Sequence, residues 1–488
     1  MSNMNYQVPQ HINKDKVFIV KKSEINGRLD PKMALYNQSV QHSLYPLVKL
    51  KSLLLSKPQY GANEAGIIRD NNEQPRYIRI TDIDENGLMS LDELGATVAN
   101  LDDKYILNEN DIVIARSGAT VGKAYIHKLL PYTCVYAGYL IRFVVDSEKI
   151  LPDYLFAYTQ LSPYKEWVNA IQRPSAQPNI NAEEYQSLEI PLPNLSKQQE
   201  IVDYINEAYT QKRAKETEAQ QLLDSIDGYL LKELGITLPN IDNELNDRIF
   251  FSSFSKIDGN RIDPKKYSTK VRNLCTAIQN SGYETEELNR FIVDSCSGDW
   301  GTEDCEDYNR NTHIRCLTLR GTEIDNQYNI SINKDKAKTR LIKMDTYRKM
   351  SIAEGDIIVE KSGGSEEQPV GRVAFIDNEL LELYNIGFSN FLFKFKVRDI
   401  NPLYLYFYLK TMYNIGVTDS MQSQTNGIRN LIVKEFLSQI VVKPPYLKQH
   451  DIVNYITNIR TRAKALQAEG KAILEDAKRK VEEMIIGG

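Results

Sequence analysis

The stretch Ala115-Arg116-Ser117-Gly118-Ala119-Thr120-Val121-Gly122-Lys123-Ala124 carries the residue types closest to a chemical site. It follows the β-like run Asp111–Ile114 and ends in Gly-Lys, as a phosphate-cradling loop does. A nucleotide-binding loop of that type needs four residues between its glycines, and a hydroxyl residue after its lysine to hold Mg²⁺. Three residues separate Gly118 from Gly122, and Ala124 follows Lys123, so nucleotide chemistry is excluded. A glycine turn flanked by Arg116 and Lys123 suits a nucleic-acid phosphate instead. The alternative is a plain hairpin with solvated charges.

Other constellations fail on spacing. Asn401-Pro402-Leu403-Tyr404 lacks the second proline of the N-P-P-Y motif of amino-methyltransferases, and its counterpart Leu151-Pro152-Asp153-Tyr154 lacks the asparagine too. Both read as helix starts, where proline costs no hydrogen bond. Cys305, His313 and Cys316 match no zinc spacing. Asp30-Pro31-Lys32 and Asp263-Pro264-Lys265 offer a carboxylate, but no Glu-x-Lys follows at a consistent place. A β-turn is the expected reading there. The five histidines give no nucleophile–base pair.

The elements that would position these residues come in two copies. Arg28–Lys32 reappears as Arg261–Lys265, and Tyr77-Ile78-Arg79 as His313-Ile314-Arg315. Asp111–Val113 reappears as Asp356–Ile358, Pro152–Leu155 as Pro402–Leu405, and Lys197–Ile205 as Lys448–Ile456. The order is kept throughout, so the chain is a tandem duplication. The hairpin reappears as Lys361–Arg372 with a longer, partly acidic turn, which a nucleotide cradle would not tolerate. A basic residue, Ser-Gly, a variable turn and Val-Gly-basic persist in both. Short β-rich runs such as IVIA, LIRFVV, DIIVE and FLFKFKV read as strands.

Each copy ends in a long helix. Ile201, Ile205, Leu222, Ile226 and Leu230 recur at helical spacing in the first, and Ile452, Ile456, Ile459, Leu466 and Ile473 in the second. Lys212 and Lys215 interrupt one seam, Gly470 and Lys480 the other. The two helices are expected to pair with each other; the alternative is that each packs on its own domain. About 38 residues at ~1.5 Å each would make a rod of roughly 55–60 Å.

The chain has 488 residues, enough for several cores, and a net charge of −5, which excludes a globally basic DNA-coating protein but not a local basic patch. Five cysteines without a C-x-x-C pair, and no signal-like or membrane-spanning run, point to a reducing cytoplasm and no membrane association.

These features together resemble the specificity (S) subunit of a type I restriction–modification enzyme. The resemblance rests on R-S-G-A-T-V-G-K, Gln177-Pro178-Asn179-Ile180-Asn181, Ile190–Pro193 and Lys197–Ile201. The second copy has looser counterparts, Gln424-Thr425-Asn426-Gly427-Ile428, Val441–Pro445 and Lys448–Ile452. The resemblance implies an α+β fold. Two target-recognition domains (1–195 and 241–446) would each be followed by a long helix (196–240 and 447–488), the helices forming an antiparallel coiled coil. It implies a non-catalytic reader of a bipartite site in double-stranded DNA. The reader would dock two modification (methyltransferase) subunits, with restriction subunits joining through them. S-adenosylmethionine, ATP and Mg²⁺ would belong to those partners, and no metal to this chain. A DNA reader serving another phage-defence or type II modification system, and a coiled-coil tether for protein partners, stay open.

Candidate DNA contacts are Arg79, Arg116, Ser117, Lys123, Arg173, Gln177, Asn179 and Asn181 in the first copy. In the second they are Arg315, Arg320, Lys361, Ser362, Arg372, Gln424, Asn426, Arg429 and Asn430. If the two heads read different bases, features they share are scaffold or phosphate contacts. Readout then lies where they diverge, in 36–74 against 274–311 and at the hairpin tips.

Overall fold

The computed structural model describes residues 31–39, 43–89, 94–172, 178–239, 266–325, 329–333, 337–365, 368–425 and 428–487, with single positions 9, 19 and 251. The first repeat motif (Arg28–Asp30, Arg261–Lys265) therefore lies largely outside the described residues. Pro31 opens a helix, Pro31–Ser39, rather than the expected β-turn. Its fixed φ and missing N–H suit a first helical turn.

The chain divides into two compact units, 1–216 with 467–488, and 217–466. Each unit holds one head with half of each long helix. The first head has a four-stranded antiparallel sheet in the order Gln59–Tyr60, Leu140–Phe143, Ile112–Ala115, Ala124–Ile126. The second head has Ile292–Ser297, Leu392–Val397, Ile357–Glu360 and Val373–Phe375 in the same order. A further four-stranded sheet in each head closes on a parallel pair, Arg76–Ile78 with Cys134–Tyr136, and His313–Leu319 with Ile386–Phe388. The second head alone, among the described residues, adds a three-stranded sheet from Ser362–Gly364, Ile428–Leu431 and Gln422–Thr425.

The central strands Ile112–Ala115 and Ile357–Glu360 are buried along their whole length. Both faces are covered, so Ile112–Ala115 reads as an unbroken apolar run, and Ile357–Val359 as one that ends at the buried Glu360. Each begins beside a buried carboxylate. Asp111 pairs with Arg142 at 2.8 Å, and Asp356 with Lys394 at 3.2 Å. Burial raises the Asp111 pKa, with Arg142 and the Asn108 N–H pulling it back.

Backbone bonding sets the true register of the repeat. Ala137 N–H donates to Ile78 O, and Ser389 N–H to Leu319 O. Arg79 therefore corresponds to Arg320, five residues beyond the Arg315 that letter matching selects. Likewise Ile180 N–H donates to Arg116 O and Leu431 N–H to Lys361 O, so Asn179 corresponds to Asn430, not Asn426.

The long helices span Leu195–Glu233 and Tyr446–Ile486. In the first unit, Ile201, Ile205 and Ala208 share a core with Leu474, Ala477, Val481 and Ile485, and Ile473 packs against it. In the second, Ala219, Ile226 and Leu230 share a core with Ile452, Ile456, Ile459 and Leu466, and Leu222 packs against it. Early residues of one helix meet late residues of the other, so the pair is antiparallel. Lys480 is exposed and does not interrupt the seam. Gly470 does mark a close approach: a Cβ there would sit 3.3 Å from Lys212 O and from Lys215 Cβ.

One buried glutamine fastens each head to its helix. Gln198 Oε1 accepts from Leu151 N–H at 2.8 Å, and its Nε2 donates to Pro193 O at 2.9 Å. Gln449 repeats this with Asn401 N–H and Pro444 O, both at 2.8 Å. Tyr154 and Tyr404 add hydroxyl bonds of 2.7 Å to Pro191 O and Val442 O.

Candidate nucleic-acid interface

The hairpins differ from a phosphate cradle in where their last basic residue points. Gly118 and Gly122 take φ of +84° and +88°, and Gly363 and Gly371 of +100° and +107°, so the chain turns back into a strand. No helix follows whose N-terminus could hold an anion. Lys123 turns inward and donates to the carbonyls of Ile80 and Ile83. Burial lowers its pKa, while Asp84 and Glu85 act in the opposite sense. Arg372 also turns inward, donating to Gly321 O at 2.8 Å and to Ile324 O. It also grips Glu360 through two bonds, of 3.0 and 2.9 Å. Lys123 and Arg372 are therefore clasps on the turn that follows Arg79 or Arg320. This corrects their expected role as phosphate contacts, because their donors are used inside the fold.

The turns they clasp are alike. Arg79 N–H donates to Asp82 at 2.8 Å and Arg320 N–H to Glu323 at 2.7 Å, and each guanidinium pairs with the same carboxylate. The Asp82 bond raises the Arg79 pKa. Both arginines keep part of their surface in solvent, 38% for Arg79 and 24% for Arg320. Arg315 belongs elsewhere. It lies on a strand, paired with Asp304 at 2.8 Å and stacked on Tyr308.

A surface cluster forms beside each turn. In the first head Arg116 lies over the Tyr60 ring at 4.9 Å, and Ser117 bridges to exposed Asn179. Tyr139 lies between this hairpin and Arg79: its carbonyl accepts from Arg116 N–H, and the Arg79 charge partly offsets the burial that raises its hydroxyl pKa. In the second head Lys361 donates to Ser297 Oγ at 2.9 Å, and Ser362 Oγ donates to Asn430 Oδ1. Phe391, whose carbonyl accepts from Lys361 N–H, is 53% exposed. Arg429 stands next to Asn430 on the same strand, half-buried. These clusters combine cation, hydroxyl, amide and aromatic ring, the groups that hold phosphates and base edges.

Asn181 is not part of either cluster. It caps Ala182–Gln186, accepting from Glu184 N–H at 2.9 Å, which corrects its expected place among DNA contacts. Arg173, Gln177 and Asn426, and the side chain of Gln424, lie outside the described residues.

Sequence reasoning missed Tyr60, Tyr139, Trp300 and Phe391. One signal was present: Tyr136-Ala137-Gly138-Tyr139-Leu140 lines up with Phe388-Ser389-Asn390-Phe391-Leu392. A second was Gly61 with Gly298, where a Cβ would overlap carbonyl oxygens of residues 136–137 or 388–389.

A cavity of about 830 Å³ opens in the second head, lined by Trp300, Arg320, Ser362, Gln368, Arg372 and Phe391 among others. Among the described residues there is no cluster of potential metal ligands, and no helix is long and apolar enough to cross a membrane.

The family model described as the type I restriction modification DNA specificity domain matches residues 66–224 and 307–475. The specificity subunit of the type I restriction enzyme StySPI from Salmonella potsdam is 24% identical over 240 residues, which is 48% of this chain and 42% of that protein. The chain thus matches less than half of that relative's length. Three solved chains align over most of their length. One comes from work on complex assembly and conformational transition of the type I R-M system (14% identity, 90% of this chain and 95% of that one, TM-score 0.44). The HsdS subunit from Thermoanaerobacter tengcongensis aligns at 15% identity over 91% and 97%, TM-score 0.34. The S subunit from M. genitalium aligns at 11% over 91% and 97%, TM-score 0.39.

Proposed function

The chain belongs to the family of type I restriction–modification DNA specificity domains, and from that premise we propose that it reads a bipartite, asymmetric DNA site, one half-site per head. It does no chemistry itself. It directs methyltransferase subunits docked on the paired helices, and restriction subunits joined through them, to the site. S-adenosylmethionine, ATP and Mg²⁺ enter with those partners. The observation that carries this reading is the duplication: two heads of one topology, each with its own Arg–carboxylate turn and basic hairpin. A scaffold kept twice with different surface residues is what reading two different half-sites requires, because base contacts specify and phosphate contacts position.

The test is methylome sequencing after co-expression with the modification subunit in a host without its own adenine methylation. A new methyladenine motif in two unequal parts with a fixed gap is expected. Exchanging residues 1–195 for another head should alter one part only. If the complex assembles and no bipartite mark appears, the DNA-reading function fails and a protein tether replaces it.

A further inference from the structure

We propose that the cavity of the second head is a binding site for one planar nucleobase, stacked against its aromatic wall. For a base drawn from the duplex this rests on the DNA-reading function above; for a free nucleoside it does not.

The volume of about 830 Å³ is in the range of small-ligand sites and exceeds what a base needs. Trp300 forms a fixed wall. Arg340 lies over its ring at 4.8 Å and donates to its carbonyl at 3.2 Å. Gly301, at φ +63°, lets the chain pass so close to Leu341 O that a Cβ would overlap it. Phe391 is 53% exposed at the same cavity, and a large ring held there offers a face on which any base stacks. Asn390 and Gln368 bring amides, which both donate and accept, as a base edge does. Ser389 also lines the cavity.

Inside the cavity the charges are balanced, and only the 24% of Arg320 that solvent reaches is left for a phosphate outside it. Arg320 is paired with Glu323, and Arg372 with Glu360, so the cations there come with counter-ions. A neutral planar group fits this lining better than an anion. The repeat supplies an independent argument. Counted from the shared Gly61/Gly298 and Ala137/Ser389 positions, the first head has Asn63 for Trp300, Ala137 for Ser389 and Gly138 for Asn390. Gln368 falls in the second head's longer turn. Trp300, Asn390 and Gln368 lie where the heads diverge, whereas Phe391, opposite Tyr139, and the Arg320–Glu323 pair, opposite Arg79–Asp82, lie where they agree.

Trp300 provides the readout. The only other tryptophan, Trp167, is buried in the first head, so Trp167→Phe leaves Trp300 as the sole reporter. The full chain is titrated with adenosine, guanosine, cytidine and thymidine, and with a duplex carrying the site found by methylation mapping. Quenching of Trp300 emission is expected, with affinity lowered about tenfold by Phe391→Ala. A mismatch opposite the held base should tighten duplex binding about tenfold, since unpairing no longer opposes it, whereas a base read within the stack would bind more weakly. Quenching by nucleosides alone identifies a free ligand, and quenching by the duplex alone a base swung out of DNA. A duplex that binds by anisotropy with Trp300 emission unchanged, a neutral Phe391→Ala and inert nucleosides overturn the cavity proposal while DNA reading stands. If no duplex binds, the nucleoside titration decides the cavity by itself. Should Trp167→Phe not fold, the difference between the unaltered chain and Trp300→Phe gives the same signal.

Discussion

Lys123 and Arg372 occupy one position in the two heads, yet their surroundings differ in kind. Arg372 brings its own counter-ion, Glu360, where the first head has Ala115. Arg372→Met would leave the Glu360 carboxylate buried without its partner, at a cost of about 3–5 kcal/mol. Lys123→Met removes only bonds to two carbonyls, about 1–3 kcal/mol. Denaturation followed by Trp300 emission for one head and Trp167 for the other should show that ordering, and Glu360→Leu should restore most of what Arg372→Met loses. Lys410 yields a pH dependence. Burial lowers its pKa from 10.5 to about 8. A depressed pKa means the group's full stabilisation is present above its unfolded value and is lost as pH falls through the folded value. The unaltered chain should therefore gain on Lys410→Met as pH rises from about 8 towards 10.5, by on the order of 3 kcal/mol. Taking the difference between the two chains cancels the tyrosines. A gap that stays constant over that window would remove the assigned cause.

At the level of elements, the helix–head junction is set by a few buried hydrogen bonds. Gln449→Ala would leave Asn401 N–H and Pro444 O unpaired, and Gln198→Ala the N–H of Leu151 and the carbonyl of Pro193. Each should cost about 2–3 kcal/mol by urea denaturation, confined to the unit that holds it. The duplication, the strands flanking the hairpin and the helix seam were legible in the sequence, because short β-branched apolar runs and heptad-like patterns record which segments and faces are buried. The register between copies was not. Ile314-Arg315 repeats the letters of Ile78-Arg79, but bonding places Arg79 against Arg320. Asn426 matches Asn179 by letter, and Asn430 by strand pairing. The direction of Lys123 and Arg372 was also hidden, since a basic residue after Val-Gly looks the same in sequence whether it meets a phosphate or a carbonyl. The capping role of Asn181 could have been read from the Glu184 three residues on.

For the whole molecule, a net charge of −5 means that, under the proposed DNA-reading function, attraction to DNA must come from a few placed cations. With Lys123 and Arg372 turned inward, the shared basic positions at the two clusters are Arg79 and Arg116 in one head, and Arg320 and Lys361 in the other. If each meets one phosphate, the slope of log affinity against log salt is about −3.6, at roughly −0.9 per contact. Affinity then falls about a hundredfold between ~50 and 200 mM salt. Arg116→Ala together with Lys361→Ala should bring the slope to about −1.8 without changing which bases are preferred, because neither residue lies at a divergent position. Arg372→Met should leave the slope unaltered wherever the second head stays folded. The two outcomes separate the clusters from the clasps. A slope near zero in the unaltered chain would mean that the clusters do not meet phosphate, and that contact with DNA depends on the partner subunits. A slope that drops with Arg372→Met as much as with Lys361→Ala would return Arg372 to the interface and overturn its assignment as a clasp.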